Sequence, residues 1–267
     1  MDIRKYLFNG IEDTLFSFEI VTTEKGIFAG SERLTQAARE LGIQEVWVAK
    51  DGYHIVEETI VFKGVGCPAK VVAAEDVLLG LIGKSSGVAT SAYRFVRKAK
   101  NRVRIVCGAW KKVSAENKTE LRRAIAIGGA GLRITENPFV YLDKNYIKMI
   151  GGISRAVKKA TAAFNESTIV TQLHGQYGSI KEEAREAVAV GAGIIMVDTG
   201  NIEDLRAVVC AGKTDGWLAV TKIAYAGGVK FRDIESLVEA GADIVAVGRA
   251  IIDAPLLDFR LDVLYGE

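Results

Sequence analysis

The most regular hydrophobic pattern lies in the second half of the chain, from about Leu121 onward. Four short, nearly continuous apolar runs stand out there: STIVTQL, GIIMVD, WLAVTKIAYAG and ADIVAVG. A strand covered on both faces has no polar side to show, so runs of this kind predict parallel strands flanked by helices. Between them lie charge-rich stretches of helical length, SIKEEAREAVAVGAG, NIEDLRAVVCAG and KFRDIESLVEAG. Each closes on a glycine, the residue that most readily takes the left-handed conformation at a helix C-terminus. Ser179 with Glu182 and Glu183, and Asn201 with Asp204, supply N-terminal caps and acidic first turns. Repeated βα units predict a barrel or a doubly wound sheet.

The first hundred residues follow a different rhythm. FEIVTTEKGIFAG, EVWVAKDGYHIV and ETIVFKGVG alternate and carry Gly and Asp-Gly turns, which predicts a small sheet with hairpins. GSERLTQAARELG reads as a helix between them. AAEDVLLGLIGKSSGVATSAYRFVRKAK reads as a long helical run broken by Gly80, Gly83 and Gly87, and VRIVCGA as the first barrel strand. The expected organisation is an α/β cap domain with its linking helix over 1–100 and a phosphate-binding β/α barrel over 101–267.

Composition narrows the function classes. At 267 residues, 49% hydrophobic and 25% charged, the chain has the make-up of an ordinary globular protein. Its 35 basic and 33 acidic residues leave a net charge of +2, without the basic footprint that nucleic-acid binding requires. Cys67, Cys107 and Cys210 are too widely spaced for a zinc site and odd in number for a disulfide framework, so a reducing cytoplasm is expected. The opening MDIRKYLFNGIEDTLFSFEI carries acidic residues and lacks the apolar core of a signal peptide, and no stretch approaches the roughly 20 apolar residues of a membrane span. No membrane partner is expected.

Two glycine-bearing turns, AYAGGVKF and AVGRAI, follow the last two strand signals. Glycine lets the backbone approach a ligand closely, so the amides of Gly227, Gly228 and Gly248 are candidates for an anion cradle, with Arg249 adding a charge-assisted bond. The alternative is that these glycines only turn the chain. Asp198 closes GIIMVD, where barrel enzymes place carboxylates; it is a candidate for a metal or a sugar hydroxyl, or else an N-cap for the helix near Asn201. Gln172 and His174 end TQLHG and face the same mouth if the alternation holds. The alternative for His174 is a hydrogen-bonded loop residue.

In their order along residues 18 to 262, EKGIFAG, VAKDGYHIVEE, SSGVATSAYRFV, AIGGAGLR, GIIMVD, AGGV and VGRAIIDAPLLDFRLD resemble the quinolinate phosphoribosyltransferase family. The resemblance implies an N-terminal α/β sandwich domain joined to an incomplete C-terminal β/α barrel of the type II phosphoribosyltransferase kind. It also implies a homodimer whose site the partner's cap domain completes, with phosphoribosyl pyrophosphate and Mg²⁺ as substrate and cofactor. Matched residue by residue, the family's partner-supplied arginine falls on Asp76 and the arginine of its TRK motif on Trp110. Its histidine beside an arginine falls on Leu132, and a further lysine on Asp143. Lys111, Arg133 and Asp198 match in kind, and Lys144 stands one place beyond the lost lysine, a shift that in an extended strand turns a side chain to the opposite face.

On this resemblance the cradle holds the 5-phosphate, Asp198 orients the ribose or Mg²⁺, and Lys111 with Arg133 stabilises the departing pyrophosphate. Asp143 lines the substrate site, and Trp110 offers a ring surface that suits a neutral or cationic heterocycle, its alternative being ordinary core packing. The expected function is phosphoribosyl transfer to a pyridine or related heterocycle other than quinolinate. Two alternatives stay open: a phosphosugar lyase, decarboxylase or isomerase, since VGRAI is also similar to the endings of such barrels, and a non-catalytic paralogue that binds a phosphorylated metabolite.

Overall fold

The computed structural model describes residues 3–264, which fold into two compact units. The first unit is built from 1–94, 112–129 and 251–267. After a short helix α1 (Ile3–Leu7) come β1 (Phe16–Thr22), β2 (Gly26–Ile27), α2 (Ser31–Glu40), β3 (Gln44–Val48), β4 (His54–Ile55) and β5 (Ile60–Gly66). The alternation in FSFEIVT puts Phe18 and Ile20 on one face, where both are fully buried with Phe62 of β5 and with Leu34 and Ala38 of α2. Helix α3 (Pro68–Ala99) adds Leu78 and Ile82 to this core, giving a sheet with helices against it, the α/β sandwich expected.

Three features depart from the sequence reading. The Asp51-Gly52 turn does not join neighbouring strands of the main sheet: with φ +84° at Gly52, it brings β4 antiparallel onto β2, while β3 pairs with β5. Helix α3 runs unbroken through Gly80, Gly83 and Gly87. The segment around Pro255 and Leu257 crosses it there, the Leu257 amide donating to the Gly83 carbonyl at 3.0 Å, and a Cβ on Gly87 would stand 1.9 Å from the Pro255 carbonyl oxygen. Beyond that crossing, Phe259–Val263 pairs antiparallel with β1, so the sheet order is β3–β5–β1 followed by this last strand. Where the sequence suggested one boundary near residue 100, the chain returns to the first unit after Ala250.

The second unit comprises 95–111 and 130–250. Its strands are β6 (Arg104–Val106), β7 (Phe139–Leu142), β8 (Thr168–Leu173), β9 (Ile194–Val197), β10 (Lys222–Tyr225) and β11 (Ile244–Ala246), all parallel, in the order β6–β11–β10–β9–β8–β7. β6 and β7 do not pair, and the barrel is incomplete, as expected from the resemblance. Every residue of β9 is buried. Val106, Val170, Ile194, Met196, Ala224 and Ile244 fill the interior, with Phe139 and Tyr141 packed against them.

Helices connect the strands largely as the pattern predicts. Ser179 opens α7 (Ile180–Ala189) by donating from its amide and hydroxyl to the Glu182 carboxylate, and this keeps that carboxyl below its usual range. One glycine stop moves: α8 (Ile202–Asp215) continues through Gly212 and ends at Gly216, φ +78°. Gly212 is there for space, since a Cβ would meet Leu218 at 2.6 Å and Trp217 at 2.8 Å. The WLAV part of the third apolar run is a 3-10 turn over Trp217–Ala219, so β10 starts only at Lys222.

The glycines of α3 yield a paired test of this architecture. Gly80→Ala meets nothing within 4 Å and is expected to raise unfolding stability by roughly 0.5–1 kcal/mol through helix propensity. Gly87→Ala forces backbone apart and is expected to lower it by about 3 kcal/mol, both read from urea unfolding curves.

Candidate active site at the barrel mouth

In a parallel sheet one set of alternate positions faces the barrel interior, and the same alternation carries on past each strand end. Tyr141, Val170 and Met196 belong to that set. Two residues further on stand Asp143, Gln172 and Asp198, on the three adjacent strands β7, β8 and β9. Gln172 ties the row together. Its Nε2 donates to Asp198 Oδ2 at 2.5 Å and its Oε1 accepts the Lys144 amide at 3.0 Å. Asp143 Oδ1 accepts the amides of Asn145 and Tyr146 at 2.8 and 3.0 Å, capping α5 (Lys144–Ile150). Among the described residues, no donor reaches Asp143 Oδ2 or Asp198 Oδ1.

Asp198 is therefore not the cap of the helix that follows. Asn201 has that part, accepting the Glu203 amide at 3.1 Å. Tyr141, which the sequence reading passed over, lies beneath the carboxylates. Burial, and then the charges of Asp198 and Asp143, hold its phenol protonated well above the ordinary tyrosine range. Lys111 reaches over it, with Nζ 5.9 Å from the Tyr141 ring centroid and 6.0 Å from that of Trp110. Trp110 is half-buried and donates its indole N–H to the Leu132 carbonyl at 3.4 Å, a tethered ring and not a core side chain.

The structure thus gathers Trp110, Lys111, Asp143, Gln172 and Asp198 around Tyr141. It leaves two candidates apart. Lys144 is exposed as the first residue of α5, and only its amide touches the row. Arg133 stacks on Phe139, its guanidinium carbon 5.0 Å from the ring centroid, at the far end of β7 from Asp143. His174 is half-buried with Nε2 unpaired among the described residues, while its amide and those of Gly175 and Tyr177 donate to Glu183. Glu183 is 2% exposed and pins the loop leaving β8. The sequence reading took it for an ordinary first-turn acid.

The glycines continue the rim beyond β9, after β10 and β11. Gly227 and Gly228 adopt φ +111° and +71°, conformations that favour glycine. The Gly227 bend also presses against the loop after β9, where a Cβ would fall 2.3 Å from the Gly200 nitrogen. Gly248 precedes Arg249, the first residue of a short helix, and a Cβ there would meet only Ala109, at 3.6 Å. Among the described residues, no carbonyl accepts from the amides of Gly227, Gly228 or Gly248. No helix among those residues is long and apolar enough to cross a membrane.

Among the described residues no three His, Cys, Asp or Glu side chains stand together as ligands, and Asp198 keeps one oxygen beyond its bond to Gln172.

Residues 2–86 match the N-terminal domain of quinolinate phosphoribosyl transferase and residues 88–262 match its C-terminal domain. A probable nicotinate-nucleotide pyrophosphorylase (carboxylating) of Bacillus subtilis is 26% identical over 248 residues, covering 92% of this chain and 82% of the relative. The corresponding Archaeoglobus fulgidus protein is 25% identical, with 92% and 93% covered. In fold, the chain is similar to nicotinate-nucleotide pyrophosphorylase from Pyrococcus furiosus, with a TM-score of 0.85 at 23% identity, covering 98% of this chain and 72% of that one. The Francisella tularensis structure gives 0.80 at 20%, covering 98% and 94%. With both domains matched in order along almost its whole length, this chain belongs to the quinolinate phosphoribosyl transferase family.

Proposed function

We propose that this chain transfers the phosphoribosyl group of phosphoribosyl pyrophosphate to the ring nitrogen of a pyridine or related heterocycle other than quinolinate. The observation that carries the reading is the set of amides at Gly227, Gly228 and Gly248 that no carbonyl accepts from, on two neighbouring strand ends of which the first, after β10, lies beside the β9 end that carries Asp198. Such amides suit the 5-phosphate, and preorganised donors of this kind need no rearrangement when the ligand arrives. Asp198 Oδ1 is available to a ribose hydroxyl. Lys111 is the cation for the leaving pyrophosphate. Mg²⁺ belongs in this reading to the substrate, arriving chelated by pyrophosphate, since magnesium commonly takes one or two carboxylates and keeps its waters.

In the reaction the ring nitrogen forms its bond to the anomeric carbon as the carbon–oxygen bond to pyrophosphate breaks, and the electron pair leaves with pyrophosphate. No proton moves, and the positive charge ends on the ring. The row of carboxylates supports an acceptor other than quinolinate. Two like charges about 5 Å apart at an effective dielectric of about 20 repel by about 3 kcal/mol, so a dicarboxylate meets opposition where it needs neutralisation. Homodimer formation and a cytoplasmic setting are parts of the same proposal. At Asp76, matched to the family's partner-supplied arginine, the carboxylate pairs with Arg4 at 2.7 Å.

Titration calorimetry with Mg²⁺ and phosphoribosyl pyrophosphate, alongside pyrophosphate release with a panel of heterocycles, tests the reading. Base-dependent release supports transfer; tight binding without release supports the metabolite-binding paralogue instead. Gly248→Asp places a carboxylate in the cradle where the fold has room. It is expected to weaken phosphoribosyl pyrophosphate binding at least 100-fold, about 2.7 kcal/mol, with an unchanged melting temperature.

A further inference from the structure

We propose that Tyr141 and Asp143 set the acceptor specificity of this mouth, selecting a nitrogen heterocycle that bears an N–H or amino donor and no carboxylate. The inference rests on the phosphoribosyl-transfer reading above and adds the chemistry of the acceptor. Its basis is the inventory of donors and acceptors on the β7–β9 side. Gln172 is held at both ends, its Nε2 giving one N–H to Asp198 and its Oε1 accepting the Lys144 amide, which leaves the row a single further amide N–H. The charged groups the row still offers are Asp143 Oδ2 and Asp198 Oδ1, two oxygens that can only accept. A base set against them is held by the hydrogens it donates. A carboxylate there faces two negative charges, against which the row sets neutral donors only.

Tyr141 supplies the complementary contact. Its ring lies on the same interior face, and its hydroxyl can donate or accept as the ligand requires. The Lys111 ammonium stands near this ring and that of Trp110, 5.9 Å from the first centroid and 6.0 Å from the second. Among the described residues Lys111 is the cation placed over the Tyr141 ring, and a pyrophosphate leaving group competes for it. Arg133 and Lys144 do not compensate, the first stacked on Phe139 and the second exposed on α5. The positive charge that develops on the ring during transfer falls opposite the carboxylates, so the same two groups that repel a dicarboxylate favour a cationic product.

The test is equilibrium binding of bases to the chain saturated with ribose 5-phosphate, which fills the cradle but has no leaving group and so cannot react. Quinolinate, nicotinamide and 3-aminopyridine are titrated by calorimetry into the wild-type chain and into Tyr141→Phe, Asp143→Asn and Asp143→Lys. We expect an amide- or amino-bearing base to bind at least tenfold more tightly than quinolinate. Asp143→Asn keeps a side-chain cap for α5, so a folding defect is not expected, and should narrow that ratio; Asp143→Lys should invert it. Tyr141→Phe should weaken the preferred base at least threefold and leave quinolinate unchanged. Quinolinate binding best to the wild type, a ratio indifferent to Asp143, or no amino or amide base binding at all overturns the inference. Failure of ribose 5-phosphate to bind sinks the phosphoribosyl reading instead, and the two failures are seen in separate titrations.

Discussion

Parallel strands hydrogen-bonded in fixed register can present only alternate side chains to the barrel interior, and the chemistry of the mouth depends on that restriction. Because Tyr141 and Met196 face inward, Asp143 and Asp198 do too, and a lysine at 144 is carried away on the first turn of α5. The same ladder brings the bends after β10 and β11 side by side. The bends with the glycine amides and the row of carboxylates therefore follow one another along one rim, the first at β10 and β11 and the second at β7 to β9. Neither feature would survive a one-residue slip of a strand.

This division of the rim gives the molecule its electrical character. The bends after β10 and β11 offer N–H groups, suited to anions; the ends of β7 and β9 offer carboxylate oxygens and a phenol, suited to donors, with Lys111 over that phenol. Buried charge tolerates little mismatch, so on the proposed reading the carboxylates alter which base can be held more than they alter the fold.

Much of this was legible in the sequence, and the rest failed for identifiable reasons. Continuous apolar runs gave β8, β9 and β11, and the glycine turns and Asp198 stand where that pattern put them, because strand burial and backbone approach leave local marks. The Ser179 and Glu182 box is local for the same reason. The unbroken α3 was not visible: Gly83 and Gly87 are accommodated by a chain segment about 170 residues away, a contact with no local signature. The pairing of Phe259–Val263 with β1 is equally remote. Tyr141 was passed over because it sits in an apolar run, although counting back two from Asp143 would have found it. Glu183 was misjudged because its spacing fits a solvated first turn, while its burial comes from the loop folded over it.

The most direct measurement of the central claim is a crystal structure of the chain with ribose 5-phosphate. The account predicts the phosphate oxygens within hydrogen-bond distance of the Gly227, Gly228 and Gly248 amides, with the ribose directed toward Asp198. A phosphate bound elsewhere, or a sugar turned away from Asp198 with those amides still on water, would contradict it.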